Sequence, residues 1–299
     1  MRDRKPTRGS AIAGGALLLS LSATASAGRD LSLYDWMYPA DEIIAGRALD
    51  EAGKNTAVSV ERVFRGVIEP GETVEVQVKR ANRERDDSEQ RLTLAADTLY
   101  MLLLKPAADP GAPMSYELVR GVNGARKVPE EGAPAVLAAV ERFAEVQGVR
   151  DDAQQWHAFA MMLEETNPIV IQTALDQYLK FMRGTPELAL RVRPLLRHPR
   201  PDVRASALEL SGSLLERYPH DDFSDLQGLE MEIIGLARRD PSAEVRVAGV
   251  MALKGLADAR VDAIWEEISR DDPDQHVRYT AERLRYEHAQ ARSRSQGGS

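Results

Sequence analysis

Three segments in the C-terminal half of the chain follow one pattern, and this internal repeat constrains the fold more than any other feature of the sequence. In each segment a proline is followed four and five residues later by valine and arginine; the segments are 199–204, 241–246 and 273–278. They begin 42 and then 32 residues apart. Periods of this size are typical of helical repeat proteins, in which each unit buries its apolar face against its neighbours.

The apolar residues that follow each valine keep the same offsets. They are Val203, Ala207, Leu210 and Leu214; Val245, Gly249, Ala252 and Leu256; and Val277, Ala281 and Leu284. At about 100° per residue these offsets lie within an arc of roughly 60°, so they form one stripe along a helix. The second residue is small each time, which predicts that Gly249 lies where two helices approach closely and not at the surface.

A polar residue before a proline predicts where helices begin, because it combines an N-cap acceptor with a proline at the first helical position. The dipeptides are Asn167-Pro168, Asp240-Pro241 and Asp272-Pro273. The first precedes a degenerate copy of the stripe, formed by Val170, Ala174 and Phe181. Residues 224–227 have capping-box form before Leu229, which predicts an intervening helix.

This region resembles the HEAT repeats of the short, lyase-type class, whose signature is Asp-Pro followed by Val-Arg and a small residue. The resemblance covers about residues 150–290 and implies an α-helical solenoid of three to four helix pairs. The first copy departs from it, with His198-Pro199 in place of Asp-Pro. His288 replaces leucine on the last stripe and suggests a polar terminal cap, and residues 291–299 are predicted to be a disordered tail.

The first half of the chain instead has the alternation of β-strands. The candidate strands are 42–48, 57–64, 73–78, 99–104 and 116–119. Val58, Val60 and Phe64 suggest one buried face, which Val63 interrupts, and the polar segment 81–90 is predicted to be a loop. About five strands without a long helix between them predict a small antiparallel β-barrel or sandwich.

The segments 40–46, 58–66 and 98–104 resemble the OB-like barrel of tissue-inhibitor-of-metalloproteinase and netrin-type domains, and most of all their exported bacterial versions without cysteine. The resemblance covers residues 38–128 and implies a β-barrel domain, which we place within 28–130. After it, Val136, Val140 and Phe143 have helical spacing, which predicts a linker helix at 131–149. In the animal inhibitors an N-terminal cysteine chelates the zinc of the protease. Because this chain has no cysteine, that inhibitory mechanism does not carry over.

The N-terminus has the pattern of a signal peptide at residues 1–27. Arg2, Arg4, Lys5 and Arg8 precede a short apolar run at 11–21, and Ala25-Ser26-Ala27 supplies the small side chains of a cleavage site. An uncleaved N-terminal anchor is the alternative, although the run is shorter than the roughly 20 residues of a spanning helix. We therefore expect Sec-type export from a bacterial cell, to the periplasm or the medium.

Composition excludes several classes of function. The net charge is −8, and loss of residues 1–27, which carry a net +3, would make it −11. This balance argues against a general nucleic-acid binder, which needs a basic surface. The absence of cysteine excludes disulfides, a thiol nucleophile and a lipoprotein anchor.

Arg204, Arg246 and Arg278 form a periodic series with two interpretations. The series could be a stripe that binds anions. Alternatively, each arginine bonds to carbonyl groups or to an acid of the adjoining repeat. The second interpretation is favoured because the arginines recur with the packing repeat.

Other candidate groups have a structural interpretation that we prefer. His220-Asp221-Asp222 could ligate a metal, but it has the composition of a turn, and His157 beside Trp156 is expected to be an ordinary helix residue. Adjacent acids on a helix point apart and form no acid–base pair; these are Glu164-Glu165, Glu266-Glu267 and Asp271-Asp272. Met161, Met162 and Met251 are expected in the core. The sequence thus predicts no catalytic, cofactor-binding or metal-ligating residue.

The function expected from these patterns is that of an exported, non-enzymatic protein–protein interaction or scaffold protein. Its partner is an unidentified protein, with no nucleic acid, metal, cofactor or stable membrane insertion of the mature chain. One alternative is an enzyme, since the HEAT-like class includes chromophore lyases and DNA glycosylases. Another is a binding protein similar to the protease inhibitors, by analogy with the barrel.

Overall fold

The computed structural model describes residues 32–38, 40–50, 55–77, 94–107, 114–119, 121–218, 228–256 and 260–296. The predicted signal peptide, the loop 81–90, the capping box 224–227 and His220-Asp221-Asp222 lie outside these residues. Within them, the short helix Leu33–Met37 comes first, the strands follow, and the other helices come last.

The first region is a β-barrel. Its strands are β1 (Glu42–Ala48), β2 (Asn55–Arg65), β3 (Thr73–Gln77), β4 (Leu99–Pro106), β5 (Ser115–Leu118) and β6 (Ala125–Lys127). The strand order is β1-β2-β3-β5-β4, a β1–β4 pairing closes the ring, and β6 adds to β4. The pairing of β3 with β5 is parallel, so the expectation of an antiparallel barrel is wrong at this pair.

Strand β4 explains how the barrel is covered on two sides. Tyr100, Leu102 and Leu104 point into the barrel, while Met101 and Leu103 belong to a second apolar cluster that continues into the helices. An unbroken apolar run predicts a strand buried on both faces, and the structure confirms this for β4.

The interrupted alternation in β2 has a physical cause. The register against β1 passes from Ile43 opposite Arg65 to Ile44 opposite Val63, so Phe64 is the extra residue of a β-bulge. A second shift, from Ala45 opposite Arg62 to Gly46 opposite Val60, makes Glu61 an extra residue as well. Because Glu61 lies between Val60 and Val63, both valines pack with the barrel interior, whereas Phe64 packs with the cluster shared with the helices. The prediction that Phe64 shares a face with Val58 is therefore wrong, because the bulge at Glu61 reverses the facing of the strand.

The helices surround and follow the barrel. They are α1 (Leu33–Met37), α2 (Ala133–Gly148), α3 (Asp152–Met162), α4 (Pro168–Phe181), α5 (Pro186–Val192), α6 (Pro201–Arg217), α7 (Leu229–Arg239), α8 (Ala243–Ala252), α9 (Val261–Asp271) and α10 (Gln275–Gln296). Short 3-10 turns lie at Gly121–Gly124, Arg193–Arg197 and Leu253–Gly255. Helix α10 continues to Gln296, six residues into the segment for which composition predicts disorder.

The barrel and the helices share one hydrophobic cluster. It joins Trp36 of α1, the outward residues Ile43 and Leu103 of the barrel, and Phe143 of α2. Polar contacts follow the same route, since Arg65 Nη2 donates to Gln147 Oε1 (2.5 Å) and Gln147 Nε2 donates to the Tyr34 carbonyl (2.6 Å). Helix α2, expected as a linker, thus packs against both regions, and the separate folding of the two domains stays a prediction.

The apolar stripes of the three repeat copies are buried as predicted. Gly249 is buried, and each of the other stripe residues is at most 5% exposed. A Cβ atom on Gly249 would lie 2.7 Å from Ala237 Cα of α7, which confirms the predicted close approach. The upstream copy holds at Val170 and Ala174 but fails at Phe181, which is 54% exposed. Phe181 is the last residue of α4 and contacts the edge of Trp156 instead.

The helix starts correct another expectation. Asn167 caps α4 with its side chain, and Pro168 is the first helical residue, as predicted. Asp240 and Asp272 are not N-caps. Helix α8 begins at Ala243 with Ser242 as its N-cap, and α10 begins at Gln275, so each aspartate lies three residues before the first residue of the helix. Their carboxylates accept backbone N–H groups of Ser242 and Asp274 and are otherwise occupied by arginines.

Candidate functional site

The periodic arginines lie at the contact between consecutive helix pairs. Arg204 Nε and Nη2 each donate to one carboxylate oxygen of Asp240, both at 2.8 Å. Its Nη1 donates to the carbonyls of His198 (2.8 Å) and Pro199 (3.1 Å) in the turn before its own helix. One guanidinium thus fixes the start of α6 to the loop before α8.

Arg246 repeats this arrangement one unit later. Its Nε and Nη2 donate to Asp272 at 2.8 and 3.0 Å, and its Nη1 donates to the Asp240 carbonyl at 2.8 Å. Both side chains are almost inaccessible, at 9% and 3% exposure. The bond to Asp272 raises the pKa of Arg246 above its ordinary value, because it favours the charged guanidinium. The structural interpretation of the arginine series is confirmed at these two positions.

Arg278 has only the first half of this arrangement. Its Nη1 donates to the carbonyls of Asp272 (2.7 Å) and Pro273 (3.1 Å), the same two groups that Arg204 uses in its own unit. Among the described residues no carboxylate pairs with its Nε and Nη2. The guanidinium is therefore held in the orientation of the two interior arginines, with its second edge open and the side chain half-buried. We call Arg204, Arg246 and Arg278 with their two aspartates the Arg–Asp series.

Helix α10, which carries Arg278 near its start, has an exposed outer face. Tyr279 and Tyr286 are 61% and 66% exposed, the largest exposed apolar groups of the helix. A shallow depression here is lined by Tyr279, Glu282, Arg283, Arg285, Tyr286 and Ala289. Ion pairs occupy its borders, between Arg283 and Glu287 at 2.8 Å and between Arg285 and Glu266 at 3.4 Å. The face therefore offers aromatic and cationic groups that the helix does not bury.

An acidic group lies elsewhere, between α4 and α6. Burial raises the pKa of Asp176 to about 6, opposed by a hydrogen bond from Gln172 Nε2 (2.9 Å) and reinforced by Glu209. Burial also raises the pKa of Glu209, with Glu244 adding to the effect. Gln172 Nε2 also donates to Ser206 Oγ at 2.7 Å and so bridges the two helices. This group can take up a proton near pH 6, but no second observation points to a ligand there.

Two sets of candidate side chains named from the sequence, His157 and the adjacent acids, occupy the structural roles preferred for them, whereas His220-Asp221-Asp222 lies outside the described residues. His157 is exposed on α3. Neighbouring acids separate to different arginines: Glu164 pairs with Arg191 and Glu165 with Arg142, Glu266 with Arg285 and Glu267 with Arg238, Asp271 with Arg270 and Asp272 with Arg246. The structure therefore brings no two of these acids together as an acid–base pair within the described residues.

The methionines follow the prediction only in part. Met162 is fully buried, whereas Met161 and Met251 are 38% and 43% exposed and are not core residues. His288, expected as a polar cap, bonds through Nδ1 to Asp262 Oδ1 at 2.6 Å and contacts the Trp265 ring edge. It closes the gap between α9 and α10 where the other copies place leucine.

Two features of the surface escaped the reasoning from sequence, although residue spacing could have indicated both. The residue six positions after the stripe valine is Asp176, Glu209, Met251 and Arg283 in successive copies. Aligning the polar positions as well as the apolar ones would have shown that this helix face is acidic in the first two copies and basic in the last. Tyr279 and Tyr286 are seven residues apart, which places them on one side of α10.

In the described part of the chain, no cluster of three or more histidine, aspartate or glutamate side chains is arranged to hold a metal ion. Across the same residues, none of the helices has the length and apolar character needed to span a bilayer. Comparison of the chain with protein-family models, with curated proteins and with solved structures finds no match in any of the three.

Proposed function

We propose that this protein is an exported, non-enzymatic interaction or scaffold protein. In this proposal the helical region is a HEAT-type solenoid, and the barrel is of the OB-like kind found in exported bacterial domains similar to metalloproteinase inhibitors and netrins. The solenoid offers an extended surface to a partner protein, and the barrel anchors one end of it.

The observation that carries this proposal is the recurrence of one contact in the Arg–Asp series. Arg204–Asp240 and Arg246–Asp272 link consecutive helix pairs through the same atoms and at nearly the same distances. Helix pairs linked in this way have the same placement relative to each other, so equivalent faces of successive helices lie side by side and form one extended surface. Buried charges that serve stacking are also not free for chemistry on a substrate.

The test of the interaction is a capture experiment with the mature chain, residues 28–299, carrying a C-terminal tag. The bait is mixed with the extracytoplasmic fraction of the source bacterium, and excess untagged chain serves as competitor. We expect one protein to be retained, to be displaced by the competitor, and to form a complex of fixed stoichiometry when both are purified. Turnover of a small molecule by the purified chain, with no such partner, would support the lyase-type alternative instead. Inhibition of a captured protease would support the inhibitor alternative.

Export is tested separately by mass spectrometry of the chain isolated from the source cells. Cleavage after Ala27 would give a mature protein that begins at Gly28. A cytoplasmic chain that begins at Met1 would contradict the proposed export and leave the interaction untouched.

A further inference from the structure

We infer that the outer face of α10 binds an acidic segment of a partner protein, one carboxylate of which occupies the open edge of Arg278. This inference rests on the proposed function, since it names the surface and the chemistry of the partner. We call the set Arg278, Tyr279, Arg283, Arg285 and Tyr286 the α10 face.

The first argument is the comparison inside the molecule itself. In the two interior arginines the Nη1 side bonds to carbonyls of the local turn, and the Nε and Nη2 side takes both oxygens of an aspartate. Arg278 makes the same turn contacts, at 2.7 and 3.1 Å against 2.8 and 3.1 Å for Arg204. Its second edge is therefore oriented before any ligand arrives, which lowers the entropic cost of binding a carboxylate.

The second argument is the distribution of charge. Helix α10 carries five arginines and two glutamates. Arg283, Arg285 and Arg292 pair with Glu287, Glu266 and Asp262, whereas Arg278 and Arg294 form no ion pair within the described residues. These two cations attract an acidic segment and raise its association rate. Exposed Tyr279 and Tyr286 add aromatic area beside the cations, and tyrosine and arginine are the residues that most often contribute large binding energies.

The same face disfavours the other classes of anionic ligand. Glu282 is exposed between Tyr279 and Tyr286 and four residues after Arg278, where it would repel the continuous charge of a nucleic acid or an anionic lipid surface. A peptide can place single carboxylates beside the arginines and leave Glu282 opposite a neutral or donor group.

A second copy of this chain does not supply the missing acid in register. The residue equivalent to Asp240 and Asp272 in the first repeat is His198. Stacking the first repeat of one copy on the last repeat of another would therefore place a histidine, and not a carboxylate, at the open edge. The first repeat of a second copy is therefore not the occupant, and the inference places an aspartate or glutamate of a different protein at this edge.

The test uses the mature chain and a defined probe. The probe is a fluorescent peptide with the sequence of residues 269–277, which contains the aspartate that Arg246 binds, and its matched form carries Asp272→Asn. Binding is followed by fluorescence anisotropy at low ionic strength. We expect the aspartate peptide to bind about tenfold more tightly than the asparagine peptide, as for a charge-assisted bidentate contact.

The protein variants separate this contact from general attraction. In Arg278→Gln the affinity for the aspartate peptide should fall by the same factor of about ten. The affinity for the asparagine peptide should change little, because the substitution in the protein and the substitution in the peptide remove the same interaction. Arg294→Gln removes an equal charge from an exposed position of the same helix and should weaken binding by less than about twofold. The peptide pair tests the parent protein directly, so the result does not depend on the stability of a variant.

Four results would overturn the inference. They are equal binding of the two peptides, equal losses in Arg278→Gln and Arg294→Gln, displacement of the peptide by equimolar inorganic phosphate, and a dimer in sedimentation that Arg278→Gln dissolves. If the capture experiment finds a partner that binds Arg278→Gln and the parent equally well, the proposed function stands and the α10 face is wrong.

Discussion

The barrel and the helical region complete their repeating contacts in opposite ways. In the barrel the strand order returns to its start, because β4 pairs with β1, and the ring leaves no strand of the five with a free edge. In the helical region Arg204 and Arg246 each bind an aspartate of the following helix pair, whereas Arg278 has no carboxylate partner among the described residues. The barrel thus pairs all five strands within itself, while the arginine series leaves one member with half of its contacts. This difference is why we propose the binding surface on the helices and not on the barrel.

The largest expected effect is in the Arg–Asp series. Arg246→Met leaves the carboxylate of Asp272 buried without its partner, and we expect a loss of about 3–5 kcal/mol in the free energy of unfolding. Arg270→Met removes an exposed arginine paired with neighbouring Asp271 and should leave the urea midpoint unchanged. A small loss for Arg246→Met would mean that the apolar stripes alone hold consecutive pairs together.

In the barrel the corresponding test is a cavity. Leu102 is fully buried in the interior, so Leu102→Ala should lower the free energy of unfolding by about 2–5 kcal/mol. Leu49 is 51% exposed, and Leu49→Ala should cost less than about 1 kcal/mol. If the two regions unfold together through their shared cluster, one transition in urea will shift as a whole. Two transitions in urea, of which only one shifts in Leu102→Ala, would show that the barrel and the helical region fold separately, as the sequence predicts.

A pair of glycines tests the close approach of helices. Gly249→Leu would force a side chain into the backbone of α7 and should destabilise the protein by about 1–3 kcal/mol through overpacking. A Cβ on Gly235 would meet no atom within 4 Å, and Gly235→Leu should be neutral or stabilise by up to about 1 kcal/mol through helix propensity. If denaturant melts show that both variants change the free energy of unfolding in the same direction, Gly249 of α8 does not lie at a close helix–helix contact.

The last expected effect depends on pH. The pKa of Asp176 is raised by burial to about 6 from 3.8, so its carboxyl group ionises first in the unfolded chain. Its contribution to stability is thus fully present below pH about 4 and is lost as the pH rises through 6. Asp176→Asn should be more stable than the parent by up to about 3 kcal/mol at pH 8 and similar to it at pH 4. Asp271→Asn, at an exposed position, should show no such difference between the two pH values.

The sequence predicted the local elements better than their assembly. The period of two located β2 and β3, an unbroken apolar run located β4, and the spaced apolar residues located the buried faces of α6, α8 and α10. The parallel contact of β3 with β5 joins distant segments, and nothing in either strand's own pattern distinguishes a parallel from an antiparallel neighbour. The bulges at Glu61 and Phe64 likewise depend on the register against β1, which a single strand does not encode.

The site was predicted in part for the same reason. The period of the arginines already favoured bonds between repeats, because a group tied to the packing repeat is used in packing. The assignment of Asp240 and Asp272 as N-caps failed because local rules consider only the helix that follows. A bidentate arginine from the preceding pair instead occupies both oxygens of each acid, and it comes from a distant part of the sequence. The short helix α1 and strand β6 are five and three residues long, too short for a periodic pattern.

The positions of the arginine and the aspartate also decide how the chain can change in length. The two residues of each pair are 36 positions apart in Arg204–Asp240 and 26 apart in Arg246–Asp272, yet the bonds have nearly the same geometry. The ten-residue difference lies in helix α6, which has 17 residues against ten in α8, and in the connection that follows it, because the intervening helices α7 and α9 both have 11 residues. We therefore expect a change of several residues in this helix or in that connection to leave the junction intact, whereas one residue inserted between Asp272 and Arg278 would shift the arginine away from its turn. Length variation among repeats of this kind should fall between the arginine of one unit and the aspartate of the next, and spare the spacing from each aspartate to the arginine that follows it.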